Sequence, residues 1–151
     1  YSAYLFRGVD KYDLFVFLFV ITICVATDIG GYVFGKLFKG PKLIKISPNK
    51  TYSGMIGSYL LSIIFANLYL KESLELIWIS NPFTYNDTLM LILILLISSV
   101  SQLGDLFISY FKRLSKIKNT GKILPGHGGL LDRVDGLIFA VPFAYLLFKL
   151  I

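Results

Sequence analysis

Four of the nine acidic residues, Asp28, Asp105, Asp132 and Asp135, lie within or at the ends of strongly apolar stretches. A carboxylate in such a place is costly unless it is paired, metal-bound or set in a wet cavity, so these four head the candidates for chemistry. Asp28 sits in Ala26-Thr27-Asp28-Ile29-Gly30-Gly31-Tyr32. Asp105 belongs to a series, Ser98, Ser101, Gln102, Asp105, Ser109 and Lys112, whose spacings of three and four put one polar stripe on an otherwise apolar helix. That stripe lines something wet or binds something polar; a ladder of interhelical hydrogen bonds is the structural alternative. Asp132 and Asp135, three apart, share a helical face, although acids in a first turn also simply suit the macrodipole.

Just upstream lies Pro125-Gly126-His127-Gly128-Gly129, and Arg133 stands between the last two acids. Glycines around a histidine let backbone N–H groups approach an anion. Together with basic residues and carboxylates they suggest phosphates held with a divalent metal. Hard oxygen ligands favour Mg²⁺, which commonly takes one or two carboxylates plus substrate phosphates. The single cysteine, Cys24, lies in an apolar run, so neither an internal disulfide nor a paired-cysteine metal site is available.

The elements that must position these residues are membrane helices. Of 151 residues 56% are hydrophobic and only 16% charged, with a mean hydropathy of +0.72. This excludes a soluble enzyme, a disordered tail and a disulfide-rich secreted domain. The pattern predicts an all-α integral membrane bundle of about four spans, near 14–38, 52–70, 89–111 and 134–151, forming a single transmembrane region. The short apolar run 74–79, with Trp78, reads as an interfacial piece. Gly31 and Gly35, four apart, offer a small-residue face to another helix. The segment 36–51 holds five lysines and no acid, and 112–133 holds six basic residues, so eleven of the 15 basic residues lie between spans on one side. The positive-inside rule then places both basic loops, and the polar residues near them, in the cytoplasm. Such loops also attract anionic lipid. The chain starts at Tyr1, which suggests a fragment of something longer.

Ser109-Tyr110-Phe111-Lys112-Arg113, then Lys118, then Leu124-Pro125-Gly126-His127-Gly128-Gly129-Leu130-Leu131-Asp132-Arg133-Val134-Asp135 closely resembles the signature of phosphatidate cytidylyltransferases, the CDP-diacylglycerol synthases. Gln102-Leu103-Gly104-Asp105 fits the stretch before that signature. Asp28, Tyr32, Phe34, Gly35 and Lys36 look like a further block of the family, and Ser47-Pro48-Asn49-Lys50-Thr51-Tyr52-Ser53-Gly54 another. The match runs in order from about Asp28 to Pro142. Ser53 stands where Glu is usual, Asn119 where Asp is usual, Gly136 for a common Ser and Gly31 for a common Ala. Typical members have further N-terminal spans.

The resemblance implies transfer of a cytidylyl group from CTP to phosphatidic acid, giving CDP-diacylglycerol and pyrophosphate. It implies a bacterial inner membrane setting with membrane lipid as partner and no nucleic acid, and it allows a homodimer. On this reading Asp105 and Asp132 are the principal Mg²⁺ ligands, with Asp28 and Asp135 as further ligands or supports and a second cation left open. Lys50, Lys112, Arg113, Lys118 and Arg133 are candidates for phosphate contacts, Lys112 and Arg133 being also the basic members of the catalytic group. Gly126, His127, Gly128 and Gly129 shape a loop over the nucleotide. The departures at Ser53 and Asn119 keep a catalytically silent homologue, acting as a lipid-binding or assembly protein, as the alternative. A small ion channel or transporter would not need two lysine-rich loops and a Gly-His-Gly turn on one face.

The charge distribution makes a first prediction. Cysteine-accessibility labelling should find residues 36–51 and 112–133 on the cytoplasmic side and 71–87 on the other; cytoplasmic labelling of 71–87 would invert the arrangement.

Overall fold

The computed structural model describes residues 4, 11–44, 47–77, 87–115 and 131–150, and side chains in the last segment from Asp135 onward. Within them lie four long helices and one small hairpin: α1 (Lys11–Phe38), β1 (Lys42–Ile44), β2 (Ser47–Thr51), α2 (Tyr52–Ile77), α3 (Asp87–Leu114) and α4 (Leu131–Leu150). Segments Asp13–Phe38, Tyr52–Glu72 and Thr88–Leu114 are long and apolar enough to cross a membrane. The fourth expected span, α4, is a helix but is not among these three, because its 20 residues include the charged Asp132, Arg133, Asp135 and Lys149. Residues 74–77, expected as a separate interfacial piece, instead continue α2, because nothing in Leu70-Lys71-Glu72-Ser73 breaks a helix; Trp78 lies outside the described residues.

The chain turns between α1 and α2 by defined chemistry. Lys39 takes a left-handed conformation, with φ of 42°, and its N–H donates to Gly35 O at 3.2 Å, which caps α1. An antiparallel hairpin follows, pairing Lys42 with Thr51 and Ile44 with Ser47, where the sequence had predicted only a loop. Thr51 then starts α2: its Oγ1 accepts the Gly54 N–H at 3.1 Å, satisfying a donor that the helix itself cannot. Ser53 Oγ accepts the Gly40 N–H at 3.3 Å. The serine that replaces a usual Glu therefore ties the end of α1 to the start of α2.

Helices α1 and α2 run antiparallel. At one end Tyr69 donates its hydroxyl hydrogen to Phe15 O at 3.1 Å; at the other, glycines bring the backbones together. A Cβ on Gly30 would lie 2.5 Å from Gly57 O and 2.8 Å from Ser58 Cα, and one on Gly54 would lie 2.7 Å from Gly31 O. The small face expected at Gly31 and Gly35 is met by Thr51, Gly54 and Ser58, while Gly57 lies against Gly30 and Phe34. A similar contact joins α3 and α4, where a Cβ on Gly136 would lie 2.5 Å from Ser101 Oγ and 3.0 Å from its carbonyl oxygen. That contact explains the glycine at a position where serine is common in the family resembled.

Towards the other end the bundle has an apolar core. Phe15, Val16, Phe19, Val20 and Ile23 of α1 pack with Leu93, Ile94 and Ile97 of α3 and with Ala140 and Ala144 of α4. The outer faces are also apolar, with Leu18 and Val25 of α1, Leu60 and Ile64 of α2, and Leu91 and Leu96 of α3 exposed. Apolar surface on both the inside and the outside suits a helix bundle in lipid, where outward leucines face acyl chains.

Gly30→Ala should destabilise the protein by about 1–3 kcal/mol, because the new methyl group meets backbone that cannot turn aside. Thermal unfolding in detergent should show the loss, while Val25→Ala on an exposed face should leave the midpoint nearly unchanged.

Candidate active site

The polar stripe of α3 divides into two parts with different tasks. Deeper in the bundle it is a hydrogen-bond ladder. Thr27 Oγ1 donates to Ile23 O at 2.8 Å, which leaves Ser98 Oγ as the donor to Thr27 at 2.8 Å; Gln102 Nε2 donates in turn to Ser98 at 3.4 Å. Ser58 Oγ of α2 donates to Thr27 O at 2.7 Å. Ser99 Oγ donates to Leu95 O at 2.7 Å, so Tyr59 supplies the hydrogen for their 2.9 Å contact. These bonds satisfy polar groups that the bundle buries wholly or in part.

Above the ladder the bundle opens. A cavity of about 310 Å³ is walled by Thr27, Asp28 and Tyr32 of α1, Lys50 of β2, Gly54, Met55 and Ser58 of α2, Gln102 and Asp105 of α3, and Asp135 of α4. Three of the four acids singled out by sequence therefore meet at one place, although they come from three helices. Tyr32 of this wall accepts at its Oη a hydrogen bond from Lys36 Nζ at 3.4 Å.

Two lysines balance two of the acids. Lys112 Nζ donates to Asp135 Oδ2 at 2.7 Å, with side chains only 12% and 3% exposed. Lys50 Nζ is ion-paired with Asp105 Oδ2, with side chains 27% and 33% exposed. The first pair is packed between α3 and α4, and the second lies open to the cavity. Sequence reasoning gave the lysines to phosphates and the acids to a metal, and did not foresee that they would meet each other. Their separations in sequence, 23 and 55 residues, carry no periodic signal of contact.

Arg113 is exposed in the last turn of α3 and does not line the cavity. Asp132 and Arg133 lie in the first turn of α4, where only the backbone is described. Lys118, Gly126, His127, Gly128 and Gly129 lie outside the described residues, as does Asn119. Thr27, Met55 and Ser58 were missed as site residues. The Ser58 position could have been found, since it follows Gly54 by one helical turn on the same small-residue face.

With this geometry in hand, the chain can be set beside known proteins. A model of the cytidylyltransferase family matches residues 2–151. The chain belongs to the cytidylyltransferase family. It is 38% identical over 146 residues to a phosphatidate cytidylyltransferase of Bacillus subtilis (strain 168), an alignment covering 95% of this chain and 51% of that protein. It is 40% identical over 146 residues to one of Brucella suis biovar 1 (strain 1330), covering 96% and 51%. To one of Rickettsia conorii (strain ATCC VR-613 / Malish 7) it is 35% identical over 147 residues, covering 97% and 63%. The chain spans about half the length of the first two of these relatives.

In this member of the family the described donors suit a hard cation in number and kind. Asp28 and Asp105 both reach the cavity, and two carboxylates are what Mg²⁺ commonly takes when phosphate oxygens complete its shell. No three metal-ligating side chains cluster among the described residues, so the protein's described part alone does not make a closed cage.

The unequal burial of the two ion pairs predicts unequal costs of breaking them. Lys112→Ala removes the ammonium that meets Asp135 at a nearly buried site and should cost about 3–5 kcal/mol, whereas Lys50→Ala should cost no more than about 1 kcal/mol. Unfolding midpoints in detergent measured on both variants check this; equal losses would mean that burial does not separate the pairs.

Proposed function

We propose that this chain carries the catalytic region of a phosphatidate cytidylyltransferase, which transfers CMP from CTP to phosphatidic acid with Mg²⁺ and releases pyrophosphate. The observation that carries the proposal is the cavity where Asp28, Asp105, Asp135 and Lys50 meet at one end of a membrane bundle, in a chain of the cytidylyltransferase family. On this reading that end faces the cytoplasm, as the basic segments around it suggest. CTP would arrive there from water and the lipid from the bilayer.

The chemistry needs no protein nucleophile. A phosphate oxygen of phosphatidic acid attacks the α-phosphorus of CTP, the bond from that phosphorus to the bridging oxygen breaks, and pyrophosphate leaves with the bond's electrons. The protein's task is to bring two polyanions together in line and to stabilise the charge that builds on the leaving group. Asp28 and Asp105, together with Asp132, would hold Mg²⁺, which when bound supplies Lewis-acid polarisation of phosphate oxygens. Lys50 would contact substrate phosphate from the hairpin. Lys112 holds Asp135 in place, and its charge offsets one of three acids in the cavity wall. Arg113, Lys118, Arg133 and the loop 126–129 remain candidates for the nucleotide's phosphates. A homodimer in the bacterial inner membrane is the assembly we propose from the family resemblance.

Asp105→Asn tests the reading. The variant keeps the shape and a hydrogen-bonding group but loses the charge, so it should remain inserted and folded while cytidylyl transfer from labelled CTP falls by about 10² to 10³·⁵. Near-wild-type turnover at low Mg²⁺ would overturn the role of Asp105. A wild-type protein with no CTP-dependent transfer to phosphatidic acid would instead favour the silent homologue.

A further inference from the structure

The two lysine–aspartate pairs differ in a way that suggests what one of them is for. Lys112 and Asp135 are shut between two helices and stay together at a high cost of separation. Lys50 and Asp105 are accessible from the cavity, and an accessible pair separates cheaply. Lys50 also comes from a different kind of element. It is carried by β2, next to Thr51, which caps α2, and from the cavity wall it reaches Asp105 of α3.

Three carboxylates in one cavity wall repel one another when nothing else is bound, and an ammonium group on Asp105 relieves that repulsion. The same ammonium cannot remain there when a divalent cation takes the carboxylate, because two like charges a few ångströms apart would oppose each other. A lysine side chain has four flexible carbons, so it can leave Asp105 without moving the strand that carries it. The anion that arrives with the cation, a nucleotide phosphate, is the natural acceptor for the displaced charge.

We infer that Lys50 is an exchangeable internal counterion: it neutralises Asp105 while the site is empty, competes with the divalent cation for that carboxylate, and passes to nucleotide phosphate when both arrive. The inference rests on the proposed reading of Asp105 as a metal ligand and adds a positioning role to Lys50. It has a signature that a plain phosphate contact lacks. Removing Lys50 should strengthen binding of the bare cation and weaken binding of the nucleotide, so the two affinities move in opposite directions. A purely structural lysine would move both the same way or neither.

The experiment uses the full chain in detergent, with Mn²⁺ as the probe because its free form is read directly by electron paramagnetic resonance. In the absence of nucleotide, Lys50→Met should bind Mn²⁺ about tenfold more tightly than the wild type, since one like charge has been taken from the site. In the presence of Mn²⁺, the same variant should bind CTP about tenfold more weakly by calorimetry. Lys50→Arg, which keeps the charge, should stay near wild type in Mn²⁺ affinity. Lys50→Gln gives the same readout should the methionine variant fail to insert. Unchanged or weaker Mn²⁺ binding by the neutral variants would overturn the counterion role, provided that Asp105→Asn abolishes binding. If Asp105→Asn binds Mn²⁺ as the wild type does, the metal reading of Asp105 falls, and the exchange with it.

Discussion

Charge balance in a medium that tolerates little charge is the constraint on which the rest of this structure depends. Asp28, Asp105 and Asp135 wall one cavity in a bundle whose other end is lined by phenylalanine, valine, isoleucine and alanine. Charge is expensive inside such a bundle, and for two of the three acids the fold meets the expense from outside the helix that carries them. Asp135 of α4 is met by a lysine from α3, and Asp105 of α3 by a lysine from the hairpin. The helices must therefore be correctly docked before the charges are compensated, which links assembly of the bundle to construction of the site.

Docking in turn depends on the absence of side chains. Gly30 faces Gly57 and Ser58, Gly54 faces the carbonyl of Gly31, and Gly136 faces Ser101, so α1 with α2, and α3 with α4, approach at backbone distance just where the cavity wall begins. In lipid, where burying leucine against leucine gains little over leaving it among acyl chains, such close packing and the hydrogen bonds of Thr27, Ser58 and Ser98 hold the elements in register. Positions that departed from the family pattern then acquire plain reasons. Gly136 has no room for a side chain, and the Ser53 hydroxyl holds the Gly40 amide.

Much of this was legible in the sequence. The helical period of Ser98, Ser101, Gln102, Asp105 and Lys112 marked a polar face, the pair Gly31 and Gly35 marked a contact face, and a long ordered signature pointed to the family. Other features were hidden because they depend on contacts between residues distant along the chain. Periodicity says which face a residue occupies and not which helix it meets, so the pairing of Lys50 with Asp105 and of Lys112 with Asp135 could not be read. The stripe on α3 was weighed as either a wet lining or a ladder, and it is both, divided near Gln102, because the partner helices change along its length. The hairpin was missed for a related reason. Its short strands lack alternating apolar residues, and it is held by Pro41, Thr51 and Ser53 rather than by propensity.

The ladder of hydroxyls at Thr27, Ser58 and Ser98 is also a floor. Below it, α1 is packed in apolar side chains from Phe15 to Ala26, a stretch of about 18 Å at the rise of an α-helix. A bilayer's hydrocarbon is about 30 Å thick. The apolar packing of α1 is thus shorter than a bilayer's core, and the rest of the span must be made by the part of the helix that carries Thr27, Asp28 and Tyr32.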